Sequence, residues 1–394
     1  MIALVQFYVC VKLLNIRASF LLPRVKKMIV KTSRLLSFVA LALLMLGPTL
    51  IQVGASPTVA VGAVYTEDNA VSNHVWRFTR YSDGTLGPGV SYSTGGAGTG
   101  VATHSQGAIA LTADGKWLLA TDAGSNQISV FWVTSTGLVL KDVEGSRGKM
   151  PISLTVSDSW VYVLDAGTLN IAGFRLRPWG ELTYISGSWR PLGSGASSPE
   201  QIGFITCPER AVLAVTDKGS GKIYTYAVNY WGVAGWPKTT TSSGPGTYGF
   251  ASTKDDLIVS EAGDHAASSY DVSRWGALTP ISKSVSTTGL SDTPCWVAVT
   301  CDGKLAYTGN GGSGTVSSFR VGWDGSLTLI SANAAGATYA PSLDLAFSSG
   351  DGFIYLLSAN SGNLEGFQVN HSTGALTWVT TVSIPTSAAG IAAS

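Results

Sequence analysis

The chain has 394 residues, 47 of them Gly, and 12% are charged, about half the usual share for a soluble globular protein. The formal net charge is +1, yet residues 1–55 hold seven basic side chains and no acid, leaving 18 basic against 24 acidic side chains over the rest, a formal −6. That excludes the basic surface a nucleic-acid partner needs, and so much Gly beside 12 Trp and 14 Tyr argues against a helical bundle.

The chain opens with two apolar stretches. In the second, Lys31 and Arg34 precede an uninterrupted apolar run from Leu35 to Leu46, Gly47-Pro48 breaks it, and Val53-Gly54-Ala55 supplies small residues. Basic start, short apolar core and small-residue exit define a secretory signal peptide. Cleavage is expected near Ala55, with Met28 as an alternative start. The organisation read from this is a leader over 1–55 and a single domain over 56–394. The expected location is secreted, extracellular or periplasmic, and a membrane becomes a partner only if the leader stays attached. Beyond the leader, Cys207, Cys295 and Cys301 remain. Cys295 and Cys301 fall six residues apart on one expected strand, too far for a disulfide if extended, so these thiols are read as buried and inert.

From residue 56 onward one phrase recurs: an aromatic residue, a few polar ones, then Gly. It reads Phe78 to Gly84, Phe131 to Gly137, Phe174 to Gly180, Tyr226 to Gly232, Tyr270 to Gly276, Phe319 to Gly325 and Phe367 to Gly374. Successive Gly residues lie 53, 43, 52, 44, 49 and 49 positions apart, a propeller-sized period. Each repeat divides into four short strands. In the clearest, strands are expected at Ala108–Thr112, Trp117–Thr121, Ile128–Val133 and Leu138–Val143, with Asp114-Gly115 as a hairpin turn. Four strands repeated seven times give an all-β, seven-bladed β-propeller. Val59–Tyr65 matches a second strand and Gly390–Ser394 a first strand, so the C-terminal strand is expected to pair into the N-terminal blade and close the ring.

These repeats resemble the lactonase-type seven-bladed propeller family, which includes 6-phosphogluconolactonases and carboxymuconate cycloisomerases. The likeness covers 56–394 and rests on phrases such as Thr112-Ala113-Asp114-Gly115-Lys116, Ala123-Gly124-Ser125-Asn126-Gln127, Pro151-Ile152-Ser153 and Asp324-Gly325-Ser326-Leu327. It implies hydrolysis or formation of a lactone of a sugar acid or aromatic acid in a central cleft. Catalytic members of the family carry a His-x-His pair before the first strand of an early blade. The matching positions here are Ser105 and Gly107, with His104 one residue out of register, which strand alternation would turn to the other side. The alternative is therefore a non-catalytic extracellular binding propeller that has lost the pair.

The loop after each second strand and the segment before each first strand share one face, where the site is expected. Acid–base candidates there are Glu200, Glu261, His265 and His104, because each can exchange a proton near neutral pH when suitably placed. Gln201, Trp296, Arg190 and Asp344 are substrate-binding candidates, and Lys218 and Arg147 could also pair a carboxylate. Second strands end in acids, among them Asp122, Asp165 and Asp217. These suit Ca²⁺ or Mg²⁺, against an alternative in which each acid caps its own turn. No cofactor is required. Trp132, Trp179, Trp231, Trp275 and Trp323, at or near the aromatic–Gly turns, are read as packing between blades. The expected partner is a small-molecule carboxylate or lactone, or an extracellular ligand, bound by a monomer without nucleic acid.

Overall fold

Every repeat becomes one antiparallel sheet of four strands, the outer one in blade 3 split into the two short pieces Leu182–Tyr184 and Arg190–Pro191, in the computed structural model, which describes residues 58–207, 210–253, 256–287, 292–336 and 344–394. The leader expected over 1–55 lies outside them. Thr58–Ser394 forms one unit, an all-β propeller of seven blades. Blade 1 is laid out Ala389–Ala393, Ala60–Glu67, His74–Tyr81, Leu86–Ser93, so the last strand of the chain supplies the first strand of the ring. Tyr65 pairs with Ala392 and Glu67 with Ala389. The Arg80 guanidinium donates to the Ser394 carbonyl at 2.7 Å, and the Ser394 N–H donates to the Ala63 carbonyl at 2.9 Å. Without this pairing Ala60–Glu67 would be an open sheet edge.

Blade 2 shows how local sequence dictates the meander. Its strands are Ile109–Leu111, Trp117–Asp122, Gln127–Val133 and Leu138–Gly145, within two residues of the expected bounds. Gly115, at φ +69°, turns the first hairpin, a conformation Gly adopts without steric cost. The recurring aromatic lies on each third strand with its ring buried: Phe78, Phe131, Phe174, Tyr226, Tyr270, Phe319 and Phe367. Each such ring contributes about 2–3 kcal/mol of burial, which is why the repeat keeps it.

The acids that end the second strands are buried between blades. Glu67, Asp122, Asp165, Asp217 and Glu261 are each fully enclosed. Asp122 accepts from Thr94 Oγ1 at 2.6 Å and Asn73 Nδ2 at 2.9 Å, both in blade 1 or the linker after it. Asp217 accepts from the N–H groups of Ser197 and Ser198 in the linker entering blade 4, at 3.0 and 2.9 Å, and of Gly219 in its own turn. They therefore tie linkers to blades as well as capping turns.

Two expectations are corrected. Cys301 lies past the end of the strand Pro294–Val299 and is exposed, with its Sγ 3.3 Å from Asp351 Oδ1; Cys295 is buried, and both thiols are free. The Trp residues near the aromatic–Gly turns do not pack between blades: Trp132, Trp179, Trp231, Trp275 and Trp323 are all exposed. The turn throws each ring outward, while the contact between blades is made by the neighbouring Gly.

Candidate active site

The first strand of each blade runs nearest the propeller axis, and three of these strands begin with Pro: Pro151, Pro199 and Pro294. Proline suits the first position of a strand, where no ladder N–H is needed. Directly after each Pro the register slips, between Pro151 and Ser153, Pro199 and Gln201, and Pro294 and Trp296. Blade 5 slips between Thr247 and Phe250. The residues at these irregularities, Ile152, Glu200, Cys295 and Tyr248, all line one axial cavity of about 860 Å³. Bulges re-aim a side chain that strand alternation would place elsewhere.

The loops after the second strands complete the walls, and Lys218 enters from blade 4. His104 enters from the segment before the first strand of blade 2, at φ +54°. That left-handed backbone corrects the register argument: His104 is not on a strand, so alternation does not govern it, and its ring borders the cavity. The Tyr248 hydroxyl donates to the His104 carbonyl at 2.6 Å and holds the segment in place. Tyr248 also meets Trp296 edge to face with centroids 5.5 Å apart, while Lys218 Nζ stands 5.0 Å over the Tyr248 ring.

The electrostatics follow from burial. Enclosure raises the Glu200 carboxyl to about 7, opposed by the Lys218 ammonium and by the Ser198 hydroxyl, which donates at 3.2 Å. Desolvation, aided by Lys218, lowers His104 from its ordinary value, so its imidazole is neutral at pH 7. The Cys295 thiol is pushed up to about 12 and stays protonated. The indole N–H of Trp296 is buried and finds no acceptor among the described residues. Glu200, Lys218 and His104 thus supply a proton acceptor near its midpoint, a fixed cation and a neutral imidazole around one space.

Of the residues expected at the site, Glu200, His104, Trp296 and Lys218 converge there. The others do not line it. Glu261 is buried beside the linker into blade 5, its Oε1 accepting from Ser242 Oγ, the Gly244 N–H and Ser268 Oγ and its Oε2 from Ser284 Oγ, at 2.7–2.9 Å, and it does not line the cavity. His265 Nδ1 accepts from the Thr293 N–H at 3.3 Å. Gln201, one residue past the bulge, clamps blade 5 by donating to the Phe250 carbonyl and accepting from the Phe250 N–H. Asp344 faces a narrower axial channel with Gln106 and Gln201; burial raises its carboxyl to about 7, and it accepts from the Leu345 N–H at 2.8 Å. Arg190 lies on the outer side of blade 3, its guanidinium 5.2 Å from the Trp236 ring and donating to the Gly235 carbonyl. Asp122, Asp165 and Asp217 sit in three different blades, and no group of three His, Cys, Asp or Glu able to hold a metal occurs among the described residues. Tyr248 was missed; its signal was its place 48 residues after Glu200 in the repeat. Ser105 and Gly107 offer the cavity no imidazole: the Ser105 hydroxyl is buried and donates to the Ile152 carbonyl at 2.6 Å.

Comparison with known proteins agrees with this architecture. The family described as "Lactonase, 7-bladed beta-propeller" matches residues 68–189 and 203–389. No curated protein sequence matches significantly. Among solved structures, a protein from Lactobacillus plantarum is 19% identical with a TM-score of 0.66, covering 84% of this chain and 99% of its own. A candidate 6-phosphogluconolactonase from Bacteroides fragilis is 16% identical with a TM-score of 0.63, covering 86% and 99%. The periplasmic gluconolactonase of Pseudomonas aeruginosa is 14% identical with a TM-score of 0.63, covering 84% and 98%. At these identities the likeness establishes the fold.

Proposed function

The chain belongs to the lactonase family of seven-bladed β-propellers, and from that premise we propose that its axial cavity opens, or in reverse closes, the ring of a small lactone. The observation that carries this reading is the buried Glu200 carboxyl, raised to about 7 beside Lys218 and His104. A carboxylate with that midpoint can take a proton from water at neutral pH and return it. In the forward direction Glu200 removes a proton from a water that attacks the lactone carbonyl. The ammonium of Lys218 stabilises the developing oxyanion. The ring C–O bond then breaks, the alkoxide takes the proton back from Glu200, and a hydroxy acid leaves. Neutral His104 orients the substrate by a hydrogen bond, and Trp296 and Ile152 provide an apolar wall.

Lys218 is the one permanently charged cation among the described lining residues. A single cation suits a lactone of a sugar acid or aromatic acid better than a phosphate ester. With residues 28–55 read as an export signal, we place the reaction outside the cytoplasm. Ser105 and Gly107, standing where catalytic relatives carry imidazoles, favour a second reading, in which the cavity binds such a ligand without turnover.

One experiment separates these readings. The purified protein is incubated with a panel of sugar-acid and aromatic-acid lactones, and acid release is followed by pH-stat titration. Turnover that falls about 10²–10⁴-fold in Glu200→Gln supports the enzyme. Saturable binding with no release above the spontaneous rate supports the binder. Neither binding nor release on any lactone removes both.

A further inference from the structure

The hairpin turns joining first to second strands, and third to fourth strands, emerge on the face opposite the axial cavity. Over blades 2 to 4 they border three depressions of about 530, 340 and 640 Å³. These are continuous. Asp114, Trp117 and Pro178 line both the first and the second, and Asp158 and Ser159 line both the second and the third. The resulting groove crosses the two junctions between blades 2, 3 and 4.

Its walls are aromatic. Trp132, Trp117, Trp179, Trp160, Trp231 and Tyr230 follow one another along it. Tyr230 is 87% exposed, Trp231 73% and Trp179 65%, a large apolar area to leave in water and the mark of a binding surface. Trp117 and Trp160 are held from beneath, because Gly180 and Gly232 of the following blades lie directly on them. The lining also carries Lys116, Lys141, Arg175 and Arg177 against Asp114 and Asp158. The Arg175 guanidinium stands 4.3 Å over the Trp160 ring, and Lys141 Nζ 5.1 Å over Trp132. Among the described residues one of the four bases is ion-paired, Lys116 with Asp114 at 2.9 Å. A groove with excess positive charge on a domain of formal charge −6 is complementary to an anionic ligand.

We propose that this groove binds an acidic polysaccharide, a chain of sugar rings bearing carboxylates. The C–H face of a pyranose packs on an indole through dispersion and exclusion of water. Asp158 and Asn229 accept from or donate to sugar hydroxyls, and the arginines meet the uronate carboxylates through charge-assisted hydrogen bonds. Aromatic platforms recurring blade by blade match a ligand that is itself a repeat. A bilayer fits less well, because a flat surface does not fill a concave groove whose aromatic rings recur across the junctions between blades. This site is independent of the axial cavity, so its test does not depend on lactone turnover.

The test titrates the purified protein with an oligogalacturonate, with cellohexaose as the uncharged control, and with phosphatidylglycerol vesicles, read by Trp fluorescence and calorimetry. The oligogalacturonate is expected to bind, more weakly as salt rises. Trp231→Ala and Trp179→Ala are each expected to weaken binding about tenfold without lowering the melting temperature. Trp323→Ala, on blade 6 and 99% exposed, is expected to leave it unchanged. Equal affinity for cellohexaose, binding to vesicles in place of the oligosaccharide, no binding to any of the three, or an equal loss in Trp323→Ala overturns the proposal.

Discussion

Glu200 lies at the start of the first strand of blade 4 and Glu261 at the end of the second strand of blade 5, and their surroundings assign them opposite work. Glu261 accepts four hydrogen bonds and faces no cavity. Glu261→Ala would strand those donors, at about 1–3 kcal/mol for each one left without water; chemical denaturation is expected to show that loss while the folded protein keeps the proposed lactone turnover. Glu200 keeps its carboxyl at the cavity wall. Its midpoint near 7 sets the expected pH profile: kcat/KM rises with pH through about 7, because the proton-accepting form is the ionised one. Since Lys218 lowers that midpoint, Lys218→Met is expected to move the rising limb to higher pH and to raise KM. A profile that does not move in Lys218→Met would separate the two groups.

At the scale of the strand and turn, glycines at hairpin turns have two jobs that sequence cannot separate. Gly115 and Gly232 both have positive φ, +69° and +79°. A Cβ on Gly115 would meet nothing within 4 Å, whereas one on Gly232 would stand 2.1 Å from the Trp160 ring of the preceding blade. Gly115→Ala is therefore expected to cost about 1–2 kcal/mol, the left-handed backbone penalty alone. Gly232→Ala adds overpacking of about 1–3 kcal/mol, and paired urea titrations check the difference. The bulges work at the same scale. In blade 4 the slip turns Glu200 to the cavity while Gln201 clamps Phe250. Simple alternation of side chains could not apportion those two neighbours, and for the same reason it misjudged His104, whose backbone is left-handed.

The whole ring carries a burden of buried carboxyls. Glu200, Asp165 and Asp344 are each raised to about 7 by burial, and Glu67 and Asp122 are raised as well. In the unfolded chain such groups ionise near pH 4, so between about 4 and 7 the folded state binds more protons. Their contribution is fully present below about pH 4 and is lost as pH rises through 7. The melting temperature is thus expected to fall from pH 5 to pH 8; a rise over that window would contradict the burial of these groups as ionisable carboxyls. Ring closure belongs to this scale too. Deleting 389–394 removes the first strand of blade 1 and the Arg80–Ser394 bond, and the truncated chain is expected to self-associate through the bared edge, as sedimentation velocity would register.

The seven blades, their strand order and the closing of the ring were legible in the sequence because each rests on local rules that recur: an aromatic on the third strand and a turn at Gly in all seven repeats, and an acid at the end of the second strand in five. Repetition lets local signals add. The acidic turns looked like chemistry for the same reason, and enclosure between blades turned them into struts. The site is the opposite case. Glu200, His104, Lys218, Tyr248 and Trp296 come from four blades, and each is the exception within its own repeat. Nothing in a linear pattern states which exceptions share a volume; the bulges and the closing of the ring around an axis decide that.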